Sequence, residues 1–345
     1  MFRPPSHPTL IRIIRVCLLL LAFLVAASVL SLLAGSVSIG IPSVFRGILA
    51  AFHFPGVSDP LTEAERTILL SIRMPRIVLA GLVGASLSCA GVVFQALLRN
   101  PLADPFVLGV SGGAAVGAVI AIVIGLGSLP FGISGMAFAG GILALILVWG
   151  LSGATGERPG KDRTLLAGII VNAFFSALIM FLVSITSGEQ IRSVVFWLMG
   201  DLAMAGKSDI FLAAAFLIFG FAVIYFHARD LNLLMAGEET ALHLGIPVER
   251  TRVLLLISAS LVTGAAVSVA GIIGFVGLMI PHIVRMLFGS DHRLLLPASL
   301  MFGGAFLMAA DTIARVAVAP AELPVGVVTA LCGAPYFAYL MKRSP

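Results

Sequence analysis

The sequence predicts an all-α polytopic membrane protein of about ten transmembrane helices, with both termini cytoplasmic. Three observations predict it. Of the 345 residues, 60% are hydrophobic and only 11% are charged, with a mean hydropathy of +1.14; a soluble domain carries about 25% charged residues. Uncharged runs recur at the length a helix needs to cross hydrocarbon, about 20 residues. The cations are segregated: an N-terminus placed inside puts fourteen of the 21 Lys and Arg inside and seven outside, as the positive-inside rule requires. The pI near 9.6 and net charge of +5 are therefore a membrane signature and not a nucleic-acid footprint.

Residues 1–9, polar, Pro-rich and expected to be loose, open one transmembrane domain that fills residues 1–345. Cys17 to Phe45 holds the first span, which has no convincing cleavage site and is expected to be retained. An outer segment follows, with an amphipathic helix expected at Ser43 to Phe52 and Pro42 at or next to its start. Ile77 to Leu98 is the second span. Its small residues Gly81, Gly84, Ala85, Ser88 and Gly91 permit close helix approach in lipid. Pro105 to Gly156 is long enough for two spans; Gly109, Gly113 and Gly117 form a small-residue face that either packs tightly or lines a path. Thr164 to Gly188 and Ile210 to His227 hold one span each, and the polar stretch Gln190 to Gly206 between them is too short to cross. Val253 to Val284 reads as two short spans broken by Gly271, Gly274, Gly277 and Pro281, tolerated where neighbours satisfy the backbone. Leu294 to Ala310 and Leu323 to Met341 complete the set. Cys17, Cys89 and Cys332 fall inside apolar runs as small packing residues, with no disulfide or metal framework visible.

The polar island of residues 227–252 stands apart. Seven of the chain's 37 charged residues lie between Arg229 and Arg252. Glu238 to Leu244 reads as one or two helical turns that Gly245 stops in the left-handed conformation, with Pro247 preventing resumption. Leu242, Leu244 and Ile246 would then be displayed on a water-facing hairpin. The island is either an ordinary surface loop or a docking surface for another protein.

Ionisable residues in or near spans are functional hypotheses by default. Asp311, His282 and Glu322 suggest a proton relay, the basis of a rival reading as a proton-coupled secondary transporter; Asp311 and Arg315, four apart on one helix face, suggest simple pairing. His282, beside Pro281, reads as a helix-end hydrogen-bonding residue or a metal ligand. Arg73, Arg76 and Arg315 lie on the outer side against the charge trend. They either grip carboxylates of a partner, or cap helices and bind lipid phosphate. No Gly-x-x-x-x-Gly-Lys-Ser/Thr phosphate loop occurs, since Lys161 is followed by Asp162. No catalytic cluster appears, which argues against an integral membrane enzyme. A mere membrane scaffold for another protein is a further rival.

Several motifs occur along the chain: Arg73-x-Pro75-Arg76, Gln95 with Asn100-Pro101-Leu102-Ala103-Asp104-Pro105, and Leu108-Gly109-Val110-Ser111-Gly112-Gly113-Ala114, then Val195 to Gly200, Gly237 to Ala241 with Leu244-Gly245, Gly274 to Arg285, Asp311 to Arg315 and Glu322 to Thr329. Together they resemble those of the FecCD family, the permease subunits of type II ABC importers for iron chelates, haem and cobalamin. The resemblance covers roughly residues 15–342.

It implies a permease subunit that is no enzyme itself, sits in the bacterial inner (cytoplasmic) membrane among membrane lipid, and pairs with a second copy as a homodimer. Two separate ATP-binding-cassette ATPase subunits would carry ATP and magnesium, leaving no cofactor on this chain. A periplasmic substrate-binding protein would deliver the cargo, docking on Arg73, Arg76 and Arg315. Glu238, Glu239, Thr240, Ala241, Leu242, Leu244 and Gly245 would form the ATPase-coupling helix. Asn100 and Leu102 with Asp162, Arg163 and Thr164 would form the cytoplasmic gate.

Overall fold

The computed structural model describes residues 9–35, 37, 39–51, 60–104, 106, 109–153, 161–186, 188–203 and 206–343. The expected loose tail lies, apart from Thr9, outside the described residues. All regular structure among them is helical.

Helix α1 (Leu10–Leu33) starts where the Thr9 hydroxyl accepts the Arg12 amide, and it shows mostly leucine and other apolar side chains outward. Helix α2 (Ile41–Ala51) is the expected amphipathic helix, with Pro42 in its first turn. A capping box at Thr62 and Glu65 starts α3 (Glu63–Arg66). It runs through a wide turn, Thr67–Arg73, into α4 (Met74–Leu98). Helix α5 (Val110–Val123) packs on α6 (Gly132–Gly153); α7 (Lys161–Ser184), α8 (Gly188–Leu198) and α9 (Lys207–Phe226) follow. The polar island forms α10 (Ala228–Ala236) and α11 (Glu238–His243). Helices α12 (Val248–Ala270), α13 (Val276–Phe288), α14 (His292–Val316) and α15 (Val325–Arg343) close the chain.

Among the described residues, eight helices are long and apolar enough to cross a membrane: α1, Glu63–Leu98, α6, Arg163–Ser184, α9, α12, α14 and Val325–Lys342. Helices α5 and α13 are shorter apolar helices. At 14 residues, α5 rises about 21 Å, less than the roughly 30 Å hydrocarbon core. All ten expected spans therefore correspond to a helix, but two of those helices fall short of spanning length.

Helix α4 is the axis of the bundle, buried along nearly its whole length between α9, α12, α13 and α14. Its small residues make this possible. A methyl group at Gly91 would sit 1.8 Å from the Gly277 carbonyl oxygen, so the two backbones touch directly. That carbonyl is four residues before Pro281, which has no amide hydrogen to offer it. The expected break between α12 and α13 is confined to Gly271–Phe275; the helix resumes at Val276 and continues through Pro281. The freed backbone finds neighbours, because Asp201 N–H donates to the Ala270 carbonyl at 2.9 Å and the Trp197 carbonyl abuts Gly271.

Candidate functional site

Two regions concentrate charge, one at each end of the α4–α14 pair. The first is the polar island. Helix α11 ends in a closed cap: Gly245 takes φ +82°, its N–H donates to the Leu242 carbonyl at 2.9 Å, and Ile246 N–H donates to the Ala241 carbonyl at 3.0 Å. This is the Schellman arrangement, whose usual apolar contact joins the residue after the glycine to the helix's last turn. Ala241 and Ile246 supply that contact and are buried, Ile246 to 9% exposure. The expectation that Ile246 is displayed is corrected for that reason. Leu242 and Leu244 are 59% and 62% exposed. Glu239 and Thr240 are exposed beside them. Glu238 pairs with Arg252 of α12 at 2.5 Å and faces Arg99 at 3.9 Å. A short, pinned helix thus presents two leucines.

Sequence reasoning missed α10 beneath it. Leu231 and Leu234 bury this helix against the bundle, and Arg99 Nη2 donates to the Leu234 carbonyl at 2.8 Å. Asn232 meets the turn before α14: its Nδ2 donates to Asp291 Oδ1 at 3.1 Å, and its Oδ1 accepts His292 N–H at 2.9 Å. Burial alone would push the Asp291 carboxyl up, but hydrogen bonds from Arg293 and Asn232 pull it down to about 2. A lowered carboxylate stabilises the fold above its ordinary value, near pH 4, and loses that contribution as pH falls toward 2. Melting curves of wild type and Asp291→Asn should therefore converge over that acid range. A gap that stays constant would exclude the charge as the cause.

The second region is ionic and buried. Arg76 Nε donates to Asp311 Oδ1 at 2.9 Å and Nη1 to Glu322 Oε2 at 2.6 Å. Arg315 lies 3.2 Å from Asp311 on the same helix face, and its Nη2 donates to the Ser31 carbonyl at 3.1 Å. Arg73 donates to the Leu32 and Val37 carbonyls at 2.9 and 2.6 Å. Arg73 and Arg315 thus serve the carbonyls at the end of α1. The three arginines are 4%, 4% and 7% exposed. They are turned inward and are not displayed to a partner, because buried carboxylates and helix-end carbonyls hold them.

The relay reading fares worse. Asp311 and Glu322 are bridged by a guanidinium, which cannot give up its proton. His282 lies between Tyr336 and Phe337 of α15. Its Nδ1 is buried and has no hydrogen-bond partner among the described residues.

Gly113 and Gly117 also need correction as path residues. Added methyl groups would meet the Gly140 and Met136 carbonyls at 2.2 and 2.0 Å, so both are spent on packing α5 against α6. Gly109 takes φ +72° and faces Val171 and Gly168 of α7. At that end Asn100 and Leu102 are exposed in the turn, where Leu102 N–H donates to the Asn100 side chain at 2.9 Å. Arg163 and Thr164 lie about one turn before Gly168 on α7, and Asp162 belongs to the same helix.

The FecCD transport family profile matches residues 20–343. The chain belongs to the FecCD transport family. It is 41% identical to the ABC transporter permease protein YvrB of Bacillus subtilis, over 93% of this chain and 92% of that one. The cobalamin import system permease protein BtuC of Halobacterium salinarum is 48% identical over 81% and 74% of the two chains. The hemin transport system permease protein HmuU of Yersinia pestis is 42% identical over 81% and 85%. A solved structure of a metal-chelate type ABC transporter, inward-facing, superposes with a TM-score of 0.80 at 31% identity, covering 96% of this chain and 99% of that one. This FecCD chain is accordingly an ABC transporter permease, a multi-pass membrane protein and not itself an enzyme.

Proposed function

We propose that the chain is the membrane subunit of an importer that moves an iron chelate, either a ferric siderophore or haem, or cobalamin into the cytoplasm. Two copies form the passage in the inner membrane. A periplasmic binding protein delivers the cargo, and two ATPase subunits, which hold ATP and magnesium, drive the change of state through α11. The observation that carries this reading is the display of Leu242 and Leu244 on a helix too well pinned to yield. A stiff apolar knob transmits force; a loose loop absorbs it. The relatives named for cobalamin and hemin support the cargo class. The closed glycine seam between α5 and α6 supports a passage between copies over one within a single chain.

The test is uptake into vesicles that hold this permease with its ATPase and binding protein. Cyanocobalamin, haemin and a ferric hydroxamate siderophore are offered in turn. Uptake of one is expected to stop without ATP and to survive a protonophore. Uptake that follows the proton gradient, or no ATP-dependent uptake of any of the three, would refute the proposal.

A further inference from the structure

We infer that Asn232 is a positioning residue that makes α14 follow the ATPase-facing helices, an inference that rests on the coupling role proposed above. The argument begins with the amide. Its Nδ2 donates to Asp291 Oδ1 at 3.1 Å, while its Oδ1 accepts both the His292 N–H at 2.9 Å and the His292 Nδ1 at 2.7 Å. The orientation of the amide is decided by this set, because a flipped Asn232 would aim its NH2 at a backbone donor. His292 is therefore protonated on Nδ1, and its buried Nε2 has no hydrogen-bond partner among the described residues. Among the described residues, Asn232 supplies the ring's side-chain hydrogen bond, and packing holds the rest of it.

The location gives the contact its consequence. Asp291 and His292 are the cap and first residue of α14. From there α14 runs 25 residues to Val316, about 37 Å, and its far end carries Asp311 and Arg315 in the buried ionic cluster. Asp311 is bonded to Arg76 of α4, and α10 is also tied to the other end of α4 through Arg99. The α4–α14 pair is thus packed along its length, joined at the outer end by ions, and joined to α10 at the other end by Asn232 and Arg99. A push on Leu242 and Leu244 reaches α10 across one residue, Gly237. Remove the Asn232 amide and the direct polar tie between α10 and the start of α14 is gone, leaving the Arg99 contact to α4 and the packing of α10 on the bundle to carry the motion less faithfully. Packed elements with two discrete arrangements transmit motion in this way, and a lost tie uncouples them.

The experiment uses the complete transporter in vesicles. It measures ATP hydrolysis and uptake in parallel, with whichever of cyanocobalamin, haemin or ferric hydroxamate wild type imports. Asn232→Ala is expected to lower molecules imported per ATP at least about tenfold, because hydrolysis falls far less than uptake. Asn232→Asp sets two carboxylates against each other and should fail likewise. Adding Asp291→Asn puts a donor opposite the new carboxylate, at the expense of an oxygen that also accepts from Arg293, and should recover part of the ratio, which a merely structural role would not predict. An unchanged ratio in Asn232→Ala, or no recovery in the swapped pair, overturns the inference, as does loss of the ATPase subunits from the purified complex. If wild type shows no ATP-driven uptake, it is the proposed function that fails.

Discussion

Asp311→Ala should destabilise the folded permease by about 3–5 kcal/mol, the cost of leaving buried charge unpaired. Asp311 is fully buried between Arg76 and Arg315, themselves 4% and 7% exposed. Without the carboxylate, two like charges face each other where water cannot screen them. Glu322 bonds the same Arg76, but its side chain is 48% exposed, so Glu322→Gln should cost about 1 kcal/mol or less. The contrast is the test. Thermal unfolding in detergent, followed by the fluorescence of Trp149 and Trp197, should rank Asp311→Ala far below Glu322→Gln. Equal melting temperatures would mean that the cluster is hydrated and does not hold α4 to α14.

The second large effect concerns function. Leu242→Glu combined with Leu244→Glu should abolish co-purification of the ATPase subunits and reduce uptake by more than about 100-fold. Anchors at the centre of an interface typically contribute about 2 kcal/mol or more each, and 1.4 kcal/mol is a factor of ten. Both side chains are more than half exposed, so the permease itself should melt as wild type does. A double variant that still binds its ATPase and imports would place the dock elsewhere on the chain. One that melts early would show that the leucines pack within the subunit.

The two regions differ in how far they could be read ahead of the structure. Gly245 as a helix stop was legible because a left-handed cap is a local event, decided by five or six adjacent residues. Ile246 was misread as displayed because the same cap turns it back onto Ala241, a contact that depends on the cap's geometry. The Asp311–Arg315 pair was legible from its four-residue spacing. Arg76 was not, since it comes to Asp311 from 235 residues away. The three outer arginines were assigned by side of the membrane, and side alone cannot tell an arginine that faces water from one folded inward onto helix-end carbonyls. Gly113 and Gly117 announced close approach but not its partner, and the partner is α6 of the same chain. Asn232 carried no signal, because an asparagine in a polar segment is ordinary until His292 and Asp291 are seen beside it.

Composition and periodicity by themselves determined that this chain is a membrane helix bundle, where its apolar helices lie, and that a charged segment interrupts them. These follow from the cost of exposing backbone and charge to hydrocarbon, which acts on each stretch separately. Only the tertiary structure decided which charges cancel, which glycines close a seam, and how the island is fastened to the bundle. Those outcomes depend on groups hundreds of residues apart meeting within about 3 Å, and no local rule contains that distance.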